Sequence, residues 1–247
     1  MRVLVACEFS GTVRDSFTAL GHEAWSCDLL PTDSPGLHYQ GDVLDILEGW
    51  TPIRFSRECD PEGDDYCQNT QQDCGECKCY GPTQDGIEYT EKNGVLLGRP
   101  EDHPHWDLMI AHPPCTYLAS SGLHWNGRIP GRSQLTIDSL IFVGQLLNAP
   151  IEKIALENPI GRINTAIRKP DQIIQPWMFG EDASKSTCIW LKNLPKLEPT
   201  NVIKKERYGN QTPSGQNKLG PSPDRWKIRS KTYQGIADAI AAQWGTP

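Results

Sequence analysis

The segment Leu108-Met109-Ile110-Ala111-His112-Pro113-Pro114-Cys115 joins a short apolar run to two prolines and a cysteine. The apolar run has the length and composition of a buried β-strand, and the prolines cannot continue a strand ladder because proline lacks a backbone N–H. The sequence therefore predicts that Cys115 lies on a stiff loop at a strand end. In an open α/β sheet, ligands bind at the carboxyl ends of the strands. Cys115 is thus either a nucleophile at such a site or a small buried thiol, and this segment alone favours neither.

The first quarter of the chain has the pattern of a nucleotide-type half sheet. Residues 2–7 predict a buried strand, residues 8–12 a loop, and apolar residues at helical spacing predict the helix that follows. A second strand is expected to end at Asp28, and Gly41-Asp42-Val43-Leu44-Asp45 is expected to be another strand end that carries acids. Such acids can bind ribose hydroxyls. The first loop has one glycine, Gly11, which favours a ligand without phosphates; the alternative is that Gly11 only closes a turn.

A second carboxylate is predicted at the same edge of the sheet as Cys115. Lys153-Ile154-Ala155-Leu156 has the composition of a buried strand and is followed by Glu157-Asn158-Pro159, which we expect to end the ladder. In a parallel sheet Glu157 would then lie on the edge that carries Cys115. The alternative is a solvated loop glutamate. Residues 171–177 are expected to be irregular, a late strand is expected at 187–191, and a final amphipathic helix is expected at 233–244.

Length and composition favour one large domain. The chain has 247 residues, enough for a sizeable core, and 22 Gly and 20 Pro indicate many loops. No apolar run approaches membrane length and we find no secretory signal, so we expect a soluble, cytosolic protein without a membrane partner. The oligomeric state cannot be read from the sequence.

The charge is strongly polarised along the chain. The formal net charge is −7, but residues 1–150 hold 9 basic and 22 acidic residues, whereas residues 151–247 hold 15 basic and 9 acidic residues. A basic face is therefore compatible with an acidic protein, and the overall charge does not exclude a partner that bears phosphates.

Residues 52–105 form a polar, acidic insert with too few apolar residues to build a core of their own. It contains five of the nine cysteines, and their clustering favours a metal site over disulfides. Four thiolates around a zinc ion would supply the missing stability, with a flexible reduced loop as the alternative. A hairpin is expected from Tyr89 to Leu97. The candidate zinc ligands are Cys59, Cys67, Cys74, Cys77 and Cys79.

A thiol and a carboxylate beside a nucleoside pocket suggest attack on an electron-poor heterocycle. A cysteine thiolate can add to C6 of a pyrimidine, which turns C5 into a carbon nucleophile. The carboxyl group of Glu157 would stabilise the adduct by holding N3 and the exocyclic amine. The pocket would then hold S-adenosylmethionine as the methyl donor.

At these residues the chain resembles the DNA cytosine-C5 methyltransferase family. Pro113-Pro114-Cys115 matches the catalytic Pro-Pro-Cys of the family, and Glu157-Asn158-Pro159 looks like its Glu-Asn-Val element. The resemblance implies that Cys115 is the nucleophile and that Glu157 binds cytosine. No Gln-x-Arg-x-Arg element follows, and Arg162 and Arg168 are the candidate replacements. The resemblance also implies that the cofactor is contacted by Phe9, Ser10, Gly11, Asp28, Leu29, Asp42, Val43, Pro113 and Thr232. Ser230 is an alternative to Thr232.

The resemblance implies an α/β fold, namely a Rossmann-like class I S-adenosylmethionine-dependent methyltransferase domain over residues 1–247 with the Cys-rich insert at 52–105. Residues 192–224 form a short basic connection in place of a large target-recognition domain, as in compact forms that look phage-borne; such a protein would act in the host cytoplasm. The implied substrate is double-stranded DNA with a flipped cytosine. The alternatives are RNA cytosine, transfer of a group other than methyl, and a non-catalytic module that binds DNA or masks it from restriction.

Overall fold

In the computed structural model, residues 1–52, 87–92, 95–100 and 106–246 are described. The strands are β1 Arg2–Ala6, β2 Glu23–Asp28, β3 His38–Gln40, β4 Thr51–Pro52, β5 Ile87–Lys92, β6 Val95–Pro100, β7 Leu108–Ala111, β8 Lys153–Pro159, β9 Gln172–Ile174 and β10 Thr187–Lys192. The helices are α1 Thr12–Ala19, α2 Val43–Leu47, α3 Ser120–Leu123, α4 Arg132–Leu147, α5 Ile163–Ala166, α6 Arg225–Ser230 and α7 Gln234–Trp244.

The described part of the chain forms an α/β fold around a mostly parallel seven-stranded sheet with the strand order β3-β2-β1-β7-β8-β10-β9. Strands β3, β2, β1, β7 and β8 pair in parallel, whereas β10 is antiparallel to both β8 and β9. The chain leaves β1 toward β2 on one side and later returns through β7 on the other side. The strand order therefore reverses between β1 and β7, and the carboxyl ends of these two strands border the crevice where such sheets bind ligands.

Helices cover both faces of this sheet. On one face α2 and α4 bury residues such as Val43, Val143 and Leu146 against Leu4 and Met109. On the other face α1 and α7 pack together and bury a second apolar cluster. This cluster includes Val13, Phe17, Ile236, Ile240 and Trp244. The central strands are apolar on both faces because both faces are covered, which explains the continuous Val, Leu and Ile runs in their sequences.

A separate three-stranded sheet has the order β4-β6-β5. Strands β5 and β6 pair antiparallel, with Lys92 opposite Val95, so the hairpin predicted between Tyr89 and Leu97 is confirmed. The five clustered cysteines lie outside the described residues.

Three local expectations were wrong in whole or in part. The segment Gly41–Asp45 is only in part a strand end: β3 stops at Gln40, directly before Gly41 and Asp42, but the residues from Val43 onward begin α2, for which the Asp42 side chain accepts the Leu44 N–H as the N-cap. Glu157 does not end its ladder, because antiparallel β10 pairs with β8 as far as Pro159. Residues 172–174, expected to be irregular, form β9 on the edge of the sheet.

Among the described residues, none of the helices has both the length and the apolar character that crossing a membrane requires.

Candidate active site

Cys115 follows β7 at the crevice where the strand order reverses. The N–H of His112 donates to the carbonyl of Ala6 at 2.9 Å, which carries the β1–β7 pairing one residue past the strand. Pro113 is buried, whereas Pro114 and Cys115 are exposed. The Cys115 carbonyl accepts the N–H groups of Leu118 and Ala119 at 3.0 and 2.9 Å and closes a tight turn. The thiol is therefore held on a short, braced loop at the surface, as the sequence predicts.

The electrostatic surroundings favour the protonated thiol in the free protein. Although Cys115 is exposed as a residue, the protein atoms around its sulfur displace water and raise the pKa of the thiol, and Glu157 adds to this effect. Lys185 and Arg229 act in the opposite direction. These surroundings therefore keep Cys115 in the protonated form, which is less nucleophilic than the thiolate.

Glu157 reaches the same edge from β8. The pairing of Ala111 with Leu156 places Glu157 opposite His112, and the Nδ1 atom of His112 lies 3.1 Å from Oε2 of Glu157. Burial is the largest single influence on the pKa of Glu157 and raises it. The charge of Lys185, the hydrogen bond and charge of His112 and a hydrogen bond from Thr187 together outweigh burial, so the pKa lies below its ordinary value. Glu157 is therefore ionised at neutral pH.

The loop that carries Cys115 and the end of β8 that carries Glu157 are tied directly to each other. Asn158 is 1% exposed, and its Nδ2 donates to the carbonyl of Pro113 at 2.7 Å. Beyond the strands, the Arg162 N–H donates to the Leu118 carbonyl at 2.7 Å. Gly161 allows this approach, since a Cβ atom there would lie 2.0 Å from the Leu118 oxygen. The positions of Cys115 and Glu157 are thus coupled through backbone and amide contacts on both sides.

Two cationic residues at the site were missed in the sequence. Lys185 acts on both Cys115 and Glu157, and its Nζ donates to the Arg229 carbonyl at 3.2 Å. Arg162 and Arg168, the candidate replacements for the arginines of the Gln-x-Arg-x-Arg element, have other partners. Arg162 is exposed and bonds Thr165, and Arg168 pairs with Asp171 at 2.6 Å. Lys185 precedes β10 by two residues, so its place follows from antiparallel β10 and not from a local motif.

The first loop is organised by Glu8 and Arg14. Glu8 is buried, and its two oxygens accept the N–H groups of Val13 and Arg14 at 2.7 and 3.2 Å, at the start of α1. Ser10 donates to Glu8 at 3.2 Å. Gly11 has φ = 75°, and a Cβ there would lie 2.4 Å from Nη2 of Arg14. In the structure the close approach at Gly11 is therefore made by Arg14.

Phe9 is buried beneath α6. The ring of Trp226 lies 6.2 Å from that of Phe9, and the Nζ of Lys227 lies 5.4 Å from the Phe9 ring centre. Lys227 and Lys231 both pair with Asp33, at 2.7 and 2.8 Å. Helix α6 was not predicted from the sequence. Contact between Phe9 and a bound nucleoside stays a prediction.

Two of the expected cofactor acids converge at the ends of β2 and β3. Asp28 is half-buried and Asp42 exposed, and both raise the pKa of the Cys7 thiol, after burial as the main cause, so both carboxylates lie near this sulfur. Leu29 is 73% exposed beside them, whereas Val43 is 3% exposed and belongs to the core. The structure thus brings Asp28, Leu29 and Asp42 together.

A narrow cleft lies between the sheet and α7. Its floor is apolar, and its polar lining comes from His112, Glu157, Lys185, Thr187, Thr232 and Tyr233. Thr232 is therefore close to the catalytic residues, whereas Ser230 is exposed at the end of α6. Within the described ranges, no group of three or more His, Cys, Asp or Glu could hold a metal.

A scan against models of protein families found no match, and a search of curated proteins found no relative. The evidence about the function of this protein therefore comes from its residues and from their geometry.

Proposed function

We propose that this protein transfers a methyl group from S-adenosylmethionine to C5 of cytosine in DNA, through a covalent bond between Cys115 and C6 of a flipped base. The observation that carries the proposal is the meeting of Cys115 and Glu157 at the reversal of strand order, where Asn158 binds the Pro113 carbonyl at 2.7 Å. A thiol held next to an ionised carboxylate suits addition to a polarised ring.

The fold supports this proposal. The resemblance to cytosine-C5 methyltransferases implies a class I methyltransferase fold, in which one reversed strand lies between the last two strands of an otherwise parallel sheet. Strand β10 has this place between β8 and β9.

Each catalytic residue has a distinct part in the proposed reaction. The Cys115 sulfur bonds to C6, and Glu157 holds the exocyclic amine and the N3 side of the ring. Lys185 favours the ionised forms of both Cys115 and Glu157. The target base has to leave the duplex to reach Cys115. Because the thiol pKa is raised in the free protein, we expect attack to follow binding of the base.

The residues near β1 and β2 fit S-adenosylmethionine better than a phosphate-bearing cofactor. Glu8 already occupies the first amides of α1, which are the groups that bind phosphate at a helix N-terminus. Asp28 and Asp42 could accept the ribose hydroxyls, and Leu29 could pack against the adenine. The negative charge of the two carboxylates would favour a cationic cofactor over an anionic one. When bound, S-adenosylmethionine would supply an electrophilic methyl group. The other expected contacts are Phe9, Ser10, Gly11, Pro113 and Thr232, whereas Val43 belongs to the core.

Basic and aromatic residues lie on the segment that follows Cys115. The guanidinium of Arg132 lies 4.8 Å from the Tyr117 ring centre, and that of Arg128 lies 5.6 Å from the Trp125 ring centre. Trp125 is 43% exposed. Arginine cations can neutralise phosphates, and exposed aromatic rings can stack on unpaired bases. This surface suits a duplex from which one base is extruded.

The connection 192–224 is fastened to the catalytic site. The Asn210 side chain forms two hydrogen bonds with the backbone of Ser184, each 2.9 Å, and Ser184 precedes the catalytic Lys185. Lys204 and Arg207 are exposed on the same connection. A rigid basic loop at this place would bind the DNA backbone close to the extruded base.

We also propose that the acidic insert 52–105 is stabilised by zinc.

A methyl-transfer assay tests the function. The protein is incubated with methyl-labelled S-adenosylmethionine and duplex DNA, and the DNA is then hydrolysed to nucleosides. We expect label in 5-methylcytosine with the wild-type protein and none with Cys115→Ser. Parallel reactions on RNA distinguish the substrate. DNA binding without label in any nucleoside would overturn the proposal in favour of a non-catalytic module.

A further inference from the structure

His112 has an unusual environment for a residue next to two prolines. Its side chain is 9% exposed, and Nδ1 lies 3.1 Å from Oε2 of Glu157. Its Nε2 atom is buried and makes no hydrogen bond within the described part of the chain. A buried polar atom without a partner costs about 1–3 kcal/mol, so an ordinary structural role does not account for an imidazole here.

Charged groups face His112 from two directions. Glu157 lies on the β8 side, and Glu8, from the loop after β1, interacts electrostatically with the ring. Glu8 is held in place by the α1 amides, and Lys185 faces Glu157 from the start of β10. From the start of α7, Tyr233 lines the same cleft. The imidazole therefore lies between two anchored carboxylates.

We infer that His112 is a positioning residue that orients Glu157 through Nδ1 and restores the proton that Glu157 gives to N3 of cytosine. This inference rests on the proposed function. Glu157 is ionised by itself, so it has no proton to donate unless a neighbour supplies one. His112 is the titratable group in direct contact with Glu157.

The Cys115 thiol loses its proton to solvent and its sulfur bonds to C6, while the electron pair of the C5–C6 double bond moves into the ring toward N3. Imidazolium at His112 gives its Nδ1 proton to Glu157, and Glu157 gives a proton to N3. After the addition His112 is neutral and Glu157 is again ionised. When the sulfur leaves, N3 returns its proton to Glu157 and from there to His112.

Exchange of the cytosine C5 hydrogen tests this role without any cofactor. While the sulfur is bonded to C6, C5 can take a deuteron from heavy water and lose its original hydrogen when the sulfur leaves. The deuterium content of cytosine in duplex DNA, measured by mass spectrometry across a range of pH, gives the rate. His112→Asn keeps an N–H near the Nδ1 position but cannot carry a second proton. His22→Asn, at the opposite end of the sheet, is the control.

For the wild type we expect exchange that slows at high pH, because N3 has to receive a proton in the addition step. His112→Asn should exchange about 100-fold more slowly, as for loss of a general acid-base partner, and should lose the alkaline decline. His22→Asn should match the wild type. Wild-type exchange by a folded His112→Asn variant would overturn the inference. If that variant does not fold, the wild-type profile alone decides, because a rate without an alkaline decline contradicts the inference. Wild-type protein that exchanges no cytosine would instead overturn the proposed function.

Discussion

Replacement of Asn158 by alanine tests how the two catalytic loops are coupled. Asn158 follows Glu157 on β8, and its Nδ2 atom donates to the Pro113 carbonyl at 2.7 Å. The Asn158 residue is 1% exposed. Its loss leaves a buried carbonyl without a donor, at a cost of about 1–3 kcal/mol. The change also removes the Asn158 Oδ1, a buried atom that has no hydrogen-bond partner within the described part of the chain. We therefore expect the free energy of unfolding to fall by about 1–2 kcal/mol, the lower half of that interval. For a chain of this size, each kcal/mol lowers the melting temperature by about 2–4 °C.

The effect on chemistry should exceed the effect on stability. A displacement of about 1 Å at a reacting group can cost about 100-fold in rate. We therefore expect the melting temperature of Asn158→Ala to fall by about 2–8 °C. We expect the variant to form the Cys115 adduct on 5-fluorocytosine DNA about 100-fold more slowly. Asn148→Ala is the matched control, because its Nδ2 also donates to a carbonyl at 2.7 Å but at an exposed helix end. An unchanged adduct rate in folded Asn158→Ala would refute the coupling.

Four further results are expected. The pKa of Glu157 is lower in the folded protein than its ordinary value of 4.5, so its contribution to stability is complete above pH 4.5 and is lost as the pH falls through the folded-state pKa. The stability of Glu157→Gln, measured by acid denaturation followed by circular dichroism, should therefore lack this pH-dependent contribution. Gly161→Ala should lower the free energy of unfolding by about 1–3 kcal/mol because its Cβ meets a backbone oxygen, whereas Gly127→Ala, in open space, should not; a chemical denaturation curve measures both. Lys185→Met should slow adduct formation, because loss of the cation raises the pKa of the Cys115 thiol further and lowers the thiolate fraction. Lys192→Met, at the other end of β10, should not slow it, and equal rates for the two variants would exclude a role for the Lys185 cation. Metal analysis should find one zinc per chain, lost when the five clustered cysteines are changed to serine; metal-free wild type would remove the zinc proposal.

The convergence of Cys115 and Glu157 could be predicted from the sequence because parallel strands end at the same edge of a sheet. Each apolar strand is short and is followed by residues that stop the parallel pairing, so its end can be located to within a residue or two. The polar neighbours of the site could not be predicted in the same way. Lys185 reaches Glu157 through antiparallel β10, and local periodicity does not reveal which strands pair.

The first loop shows a second limit of sequence reasoning. Gly11 suggested close approach of a ligand, yet the atoms nearest its Cβ position belong to Arg14 and Ser34. Arg14 is 0% exposed and bonds Ser26 and the Ser34 carbonyl, at 3.0 and 2.9 Å. An arginine in the first turn of a helix usually lies at the surface, so its buried role depends on tertiary contacts that composition and spacing do not encode.

The most direct test of the central claim is covalent capture of Cys115. The protein is mixed with S-adenosylmethionine and duplex DNA that contains 5-fluorocytosine, where fluorine prevents the final loss of the C5 substituent. We expect a stable protein–DNA complex with the wild type, a cross-linked peptide that contains Cys115, and no complex with Cys115→Ala. A complex through another residue, or no complex on DNA that the protein binds, would contradict the account.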